Sequence, residues 1–249
     1  MAGHSKWAGI KHKKAIVDAQ RGKAFSKVIR EITAAARIGG GHPEANPRLR
    51  LAIQKAREVN LPKDSLEKAI KRGTGELEGQ AFEEMTIEGY GPGGVAVLVE
   101  LLTDNKNRTS AEIRSLFTKH EGNLAGAGSV SWLFQKKGLI LLSAKGLNEE
   151  QLMNAALEAG AEDLKMEEGQ AAVTSDPHAF EAVKSALQKA GFAWESAEIT
   201  MVPSSTMRVD DPSKAKTLLA LLDALEDQED SQHVYANFDI PDALLTEHA

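Results

Sequence analysis

The segment between residues 139 and 202 constrains the fold of this 249-residue chain more than any other feature. Strand-like and helix-like periodicities follow one another there in the order β-α-β-β-α-β. The strands fall at 139–142, 163–166, 171–174 and 197–202, and the helices fall at 148–159 and 176–190. This order is that of a ferredoxin-like domain, so we predict a self-contained α+β unit in this segment.

The residues on both sides of this unit predict a second α+β domain that the unit interrupts. Its elements are strands at 85–88, 95–99 and 130–134, a helix from Thr109, another helix from Asp211 and a strand at 234–238. The last helix and strand have no partners of their own, so we assign them to the unit that precedes the insertion. We therefore predict a discontinuous α+β middle domain at 76–136 and 204–249, and an inserted ferredoxin-like domain at 137–203.

Charge separates the first part of the chain from the rest. Residues 1–72 hold 17 Lys and Arg against six Asp and Glu, a net charge of +11, whereas the remainder carries −17. A concentrated positive field attracts phosphate backbones even when the whole molecule is acidic. We predict that residues 1–75, called the head below, form a basic all-α nucleic-acid-binding domain. A helical domain with merely solvated cations is the alternative.

The helix predicted from Ala24 to Ile38 shows the arrangement of charge most clearly. Its apolar residues recur at steps of three and four and form a core-facing stripe. Four cations fall within about 80° of one another opposite that stripe. They are Lys23, Lys27, Arg30 and Arg37, called the basic ridge below. Few acids are within reach, so we expect the ridge to be exposed and to suit successive phosphates.

The segment before this helix has too many like charges and too few apolar residues to fold by itself, which predicts a semi-ordered arm. Trp7 either stacks on a base or fixes the arm to its own domain. Further helices open at Asn46-Pro47 and at Pro62. The predicted nucleic-acid-binding residues are Lys6, Trp7, Lys11, His12, Lys13, Lys14, Arg21, Lys23, Lys27, Arg30, Arg37, Arg48, Arg50 and Lys55.

Motifs for catalysis are weak, and we predict that the chain is not an enzyme and needs no cofactor or metal. Gly89, Gly91 and Gly94 match G-x-G-x-x-G, but a strand follows them where the dinucleotide fingerprint requires a helix. The seven histidines lack metal-ligand spacing. Because the chain contains no cysteine, thiolate nucleophiles and cysteine-based metal sites are excluded.

Hydropathy predicts a cytoplasmic protein. No stretch approaches the roughly 18 apolar residues of a membrane span. The first residues also lack the apolar core of a signal peptide.

An acidic run near the C-terminus has several interpretations. Five carboxylates lie between residues 223 and 230, which we call the acidic segment. They could form a solvated surface, contact a basic protein partner, or repel nucleic acid from the body of the protein.

Short stretches, in order along nearly the whole chain, carry a resemblance to a known family. They are residues 2–7, 10–14, 21–23, 29–32, 46–50, 90–95, 104–105, 107–109 and 128–132. These stretches resemble the YebC/PmpR family, which includes the mitochondrial translational activator of cytochrome c oxidase subunit I. Gly9 and residues 125–127 depart from the usual family pattern.

The resemblance implies a three-domain fold and leaves two functions open. Some members are described as DNA-binding transcriptional regulators. Others are ribosome-associated factors that help translation through difficult sequences such as proline runs. Charge and spacing alone indicate a polyanion-binding head, and the resemblance implies DNA or ribosomal RNA as its partner. The lysine-rich arm favours RNA slightly, because reading bases in a duplex prefers forked side chains held on a rigid helix.

Overall fold

The computed structural model describes residues 19–79, 81–167, 169–241 and 244. The predictions for Lys6, Trp7, Lys11, His12, Lys13 and Lys14 lie outside these residues. The side chain of Arg21 also lies outside the description.

The described part of the head is a three-helix unit. Helix α1 spans Ala19–Gly39, α2 spans Pro47–Glu58 and α3 spans Lys63–Thr74. Both shorter helices pack on α1 around a core that includes Ile32, Leu49 and Ala69. Asn46 caps α2 by accepting the Leu49 N–H, and its side-chain amide donates to the carbonyls of Ala35 and Gly40.

The middle sheet takes strands from both sides of the insertion. Strands β1 (Glu83–Gly91), β2 (Val95–Thr103) and β3 (Asn123–Leu124) precede the insertion, and β9 (Ser231–Ala236) follows it. Their order is β3-β1-β2-β9. Helices α4 (Lys106–Lys119) and α7 (Pro212–Asp227) cover one face of the sheet, where Val97, Phe117 and Leu218 are fully buried. A short parallel pair, β8 (Met207–Arg208) with β10 (Phe238–Asp239), borders this unit.

The inserted unit has the predicted element order. Its strands are β4 (Phe134–Ser143), β5 (Ala161–Glu167), β6 (Gln170–Ser175) and β7 (Ser196–Pro203). Its helices are α5 (Glu149–Glu158) and α6 (Phe180–Lys189). The strand order β5-β6-β4-β7 is antiparallel throughout. The predicted α+β fold class is confirmed, while the residue limits of the three domains stay predictions.

One predicted strand is wrong. Ser131–Leu133 forms a 3-10 turn, and the strand begins only at Phe134. The Glu88 carboxylate accepts the backbone N–H groups of Gly128, Val130 and Ser131, so these donors are not available to a strand partner.

Candidate nucleic-acid interface

Three of the four cations of the basic ridge face the acidic segment of the same chain. Lys23 Nζ lies 3.1 Å from Asp227 Oδ2, and Lys27 Nζ donates to the Glu226 carbonyl at 2.6 Å. Arg30 donates to the carbonyl of Glu229 and, at 3.2 Å, to its Oε2. The expectation that this ridge is exposed is therefore wrong for Lys27 and Arg30. Whether they also bind nucleic acid stays a prediction.

The charge at the end of α7 explains this contact. Acidic residues occupy the last turn of α7, and no basic residue lies there. Negative side chains next to the carbonyl end of a helix are unfavourable, and cations there are stabilising. The ridge supplies those cations from α1. Ala34 lies on the same side of α1 and is 3% exposed, so this side of the helix is covered.

Asp230 continues the contact into the middle domain. Its side chain is 1% exposed, and its Oδ2 accepts hydrogen bonds from Thr109 Oγ1 at 2.6 Å and from Arg108 Nη2 at 3.0 Å. Its Oδ1 lies 3.5 Å from Arg30 Nη2. Burial alone would raise the pKa of this carboxyl. The hydrogen bonds from Thr109 and Arg108 and the charge of Arg30 outweigh burial, so the pKa is lowered.

Arg48 also joins the head to the middle domain. Its guanidinium donates to both carboxylate oxygens of Glu31, at 2.7 and 3.1 Å, and contacts Glu84 on β1. The hydrogen bond to Glu31 is the main cause of the raised pKa of Arg48. The sequence places Arg48 on the flank of α2 as a phosphate ligand, but in the structure two carboxylates already engage it.

The other predicted cations of the described head remain exposed. Arg37, Arg50 and Lys55 lie on the surface, and neither Arg50 nor Lys55 makes an ion pair with a residue that the structure describes. The pKa of Glu83 is lowered first by its hydrogen bond with Lys106 and also, more weakly, by the charge of Arg37.

Helix α2 presents an exposed stripe that sequence reasoning did not single out. Arg50, Gln54 and Arg57 are exposed and fall within about 60° of one another around the helix. Gln54 contacts Glu58 only weakly, at 3.4 Å. Arg and Gln are side chains that can form paired hydrogen bonds with base edges in the major groove. The signal is present in the spacing i, i+4, i+7, on the side of α2 opposite the buried Ala52.

A second exposed feature lies at the 3-10 turn before β4. The Trp132 side chain is 69% exposed, and its Nε1 donates to the Ser129 carbonyl at 3.0 Å. Burial alone would raise the pKa of the Glu88 carboxyl that holds this turn. The three backbone donors outweigh that effect, so the pKa is lowered. Trp132 therefore projects into solvent from a turn whose backbone is held by the Glu88 carboxylate.

Two negative findings apply to the described parts of the chain. Within residues 19–79, 81–167 and 169–241, no cluster of three or more His, Asp or Glu side chains could hold a metal ion. None of the helices in those ranges is long and apolar enough to cross a membrane.

The fold and the site define a three-domain α+β protein with a basic helical head. Its other two domains are a discontinuous α+β domain and an inserted ferredoxin-like domain. The family described as "TACO1/YebC protein N-terminal domain" matches residues 5–76, and the one described as "TACO1/YebC second and third domain" matches residues 82–238. The chain therefore belongs to the TACO1/YebC family. The resemblance seen in the sequence is confirmed.

Relatives and a solved structure agree over nearly the full length. A "probable transcriptional regulatory protein" of Geobacter sulfurreducens is 59% identical over 240 residues, which are 96% of each chain. A protein of Halothermothrix orenii with the same description is 55% identical, over 99% of this chain and 98% of its own. A conserved hypothetical protein of Aquifex aeolicus, known from a crystal structure, is 52% identical in sequence to this chain. The two structures superpose with a TM-score of 0.80 over 95% of this chain and 97% of that one.

Proposed function

We propose that this chain is a non-enzymatic, nucleic-acid-binding regulator of gene expression whose head contacts duplex DNA. The descriptions of its relatives as transcriptional regulatory proteins support regulation of gene expression. The net charge of +11 in residues 1–72 supports binding to a polyanion through the head.

The observation that carries DNA contact is the exposed stripe on α2. A helix that reads the major groove needs forked or amide side chains on one exposed face. Arg50, Gln54 and Arg57 supply them. The basic ridge is a weaker candidate in the docked head, because its Lys27 and Arg30 already have partners in the acidic segment.

The test replaces Arg50 and Arg57 by Ala and measures equilibrium binding of the full chain to labelled duplexes. Loss of two cationic contacts should weaken binding at least tenfold at about 0.1 M salt. The matched control is Lys63→Ala with Lys68→Ala, which removes the same charge from exposed, locally paired residues of α3. Equal losses in both double variants would contradict a specific role for the α2 stripe.

A second pair of variants separates base reading from phosphate contact. Arg50→Lys and Arg57→Lys keep the charge but lose the forked geometry. If α2 reads bases, these variants should keep most of their affinity for a scrambled duplex and lose preference for a candidate promoter. If the cations contact phosphates only, no change in preference is expected.

The second candidate function is RNA or ribosome binding in translation, and Trp132 favours it. An exposed, fixed indole is suited to stacking on an unpaired base, which is a common mode of RNA recognition. Trp132→Ala should then weaken retention on ribosomes and leave duplex DNA binding unchanged. Competition at fixed salt between a promoter, a scrambled duplex and ribosomal RNA fragments decides between the two functions.

A promoter preference above about a thousandfold would exclude the RNA assignment. Similar affinity for all duplexes together with retention on ribosomes would exclude the transcriptional one. The cytoplasmic location stays a prediction, as does a basic protein partner for the acidic segment.

A further inference from the structure

The contact between the basic ridge and the acidic segment places carboxylates where nucleic-acid phosphates would otherwise bind. Lys23, Lys27 and Arg30 meet acceptors that lie between Glu226 and Asp230. We propose that the acidic segment is an internal competitor for nucleic acid, which occupies the ridge when the head is docked and releases it when a polyanion binds there. This inference rests on the proposed function, because it requires that the head binds nucleic acid.

The contact is exposed at its outer end, whereas Arg30, at 14% exposed, and Asp230, at 1%, are more deeply covered. Lys23 is 50% exposed and its partner Asp227 is 64% exposed, so water and salt screen this pair. Exposed ion pairs of this kind contribute only about twofold to fivefold each to an equilibrium. A nucleic acid that offers several phosphates to the same cations can therefore displace the acidic segment.

Asp230 keeps other partners when Arg30 leaves. Its Oδ2 is held by Thr109 and Arg108, both on α4, and these contacts do not involve the head. Opening the contact therefore does not leave a buried carboxylate without a counter-charge, an arrangement that is costly in proteins. On opening, Asp230 Oδ1 loses its contact with Arg30, and Arg108 remains as the counter-charge of the carboxylate.

Among the residues that the structure describes, α1 offers the ridge one carboxylate of its own. Glu31 is the carboxylate of α1, and its two oxygens are both engaged by Arg48. Once the acidic segment leaves, the positive charge of Lys23, Lys27 and Arg30 is available to phosphates on one side of α1. The docked and open states thus differ in how many cations the head offers.

Asp227→Asn with Glu229→Gln tests the proposal without changing the head. Both carboxylates are exposed, so the fold should tolerate the substitutions. For a labelled mixed-sequence duplex at about 0.1 M salt, we expect affinity to rise about threefold to tenfold. In the unmodified chain, a ridge cation exchanges a carboxylate for a phosphate when DNA binds. For each cation that no longer makes this exchange, the slope of log affinity against log salt should steepen by about 0.9.

The matched control is Glu150→Gln with Glu158→Gln on α5. It changes the net charge equally, and neither carboxylate makes an ion pair with a described residue. Its affinity and salt slope should stay close to those of the unmodified chain. Equal affinities and slopes for the two double variants would overturn the internal competitor.

In a second experiment, a covalent cross-link holds the basic ridge against the acidic segment. Because the chain has no cysteine, Lys23→Cys with Asp227→Cys creates the only two thiols, and a short bis-maleimide can join them. Cross-linked protein should bind the duplex at least tenfold more weakly than the same protein before cross-linking. Each single-cysteine variant, treated in the same way, should be unaffected.

The outcomes separate the two proposals. Full affinity after cross-linking would overturn the competitor and leave nucleic-acid binding by the head standing. If the unmodified chain, the Asp227→Asn/Glu229→Gln variant and the cross-linked protein all fail to bind duplex DNA and single-stranded RNA, the proposed function fails as well.

Discussion

Replacing Glu88 by Gln tests whether one buried carboxylate fixes the turn that precedes the inserted domain. The Glu88 side chain accepts three backbone hydrogen bonds: from Gly128 at 2.7 Å, from Val130 at 2.6 Å and from Ser131 at 2.9 Å. A glutamine has one acceptor oxygen, so its NH2 group must face at least one of these donors. That donor loses its partner, and the remaining bonds become neutral.

The magnitude follows from these contacts. A hydrogen bond to a charged group contributes about 1.5–3 kcal/mol, and a neutral one contributes about 0.5–1.5 kcal/mol. Losing one bond and weakening the others outweighs the lower cost of burying a neutral group. We expect the free energy of unfolding to fall by about 2–4 kcal/mol at pH 7, from the bond energies above. Urea unfolding followed by circular dichroism measures it.

The pH dependence of the stability lost in Glu88→Gln is a second, independent test of the role of this carboxylate. The pKa of Glu88 is lowered in the folded state, so its contribution is present above the unfolded value of about 4.3 and is lost as pH falls through the lower folded pKa. The difference between the unmodified chain and Glu88→Gln should therefore shrink below about pH 4. The control, Glu83→Gln on the exposed start of β1, should lower the free energy of unfolding much less, because its ion pair with Lys106 is exposed to solvent. A silent Glu88→Gln, or a difference that is the same at pH 3 and pH 7, would refute the reasoning.

Three further substitutions test the packing. Gly73→Ala should destabilise by about 1–3 kcal/mol in urea, because its Cβ would lie 2.4 Å from the Thr33 carbonyl, whereas Gly22→Ala meets no atom within 4 Å and should be neutral or stabilising. Asp230→Ala should cost about 3 kcal/mol by the same assay, since Thr109 and Arg108 lose their shared acceptor; an effect under 0.5 kcal/mol would contradict the role of this carboxylate. Ile32→Ala should lower the free energy of unfolding by roughly 2–5 kcal/mol, because Ile32 is fully buried. Ile29→Ala should lower it less, because Ile29 is half-buried. The reverse order would mean that the faces of α1 are misassigned.

Local patterns predicted much of the fold because each element carries its own periodicity. The β-α-β-β-α-β order of the inserted unit can be predicted because its strands show clear alternation of apolar residues and its helices show clear three- and four-residue apolar spacing. The strand predicted at 130–134 failed because its first two donors, the N–H groups of Val130 and Ser131, are taken by Glu88, about 40 residues earlier in the chain. A contact of that range leaves no trace in the local pattern.

The candidate site shows the same limit. Helical periodicity correctly placed Lys27 and Arg30 opposite the core of the head, but periodicity gives an angle and not what covers that side. Their partners lie 199 residues further along the chain. By contrast, the exposure of Arg50 and Lys55 follows from their position on α2 alone, because no other domain packs against those side chains among the described residues.

The salt dependence of binding for the Arg50→Ala/Arg57→Ala variant tests the central claim most directly. Each phosphate that loses its cation should reduce the slope of log affinity against log salt by about 0.9 for duplex DNA. If α2 of the head contacts the duplex, the variant's slope should be smaller by about one to two, and the Lys63→Ala/Lys68→Ala control should keep the slope of the unmodified chain. Identical slopes for all three proteins would show that this face of the head does not bind nucleic acid.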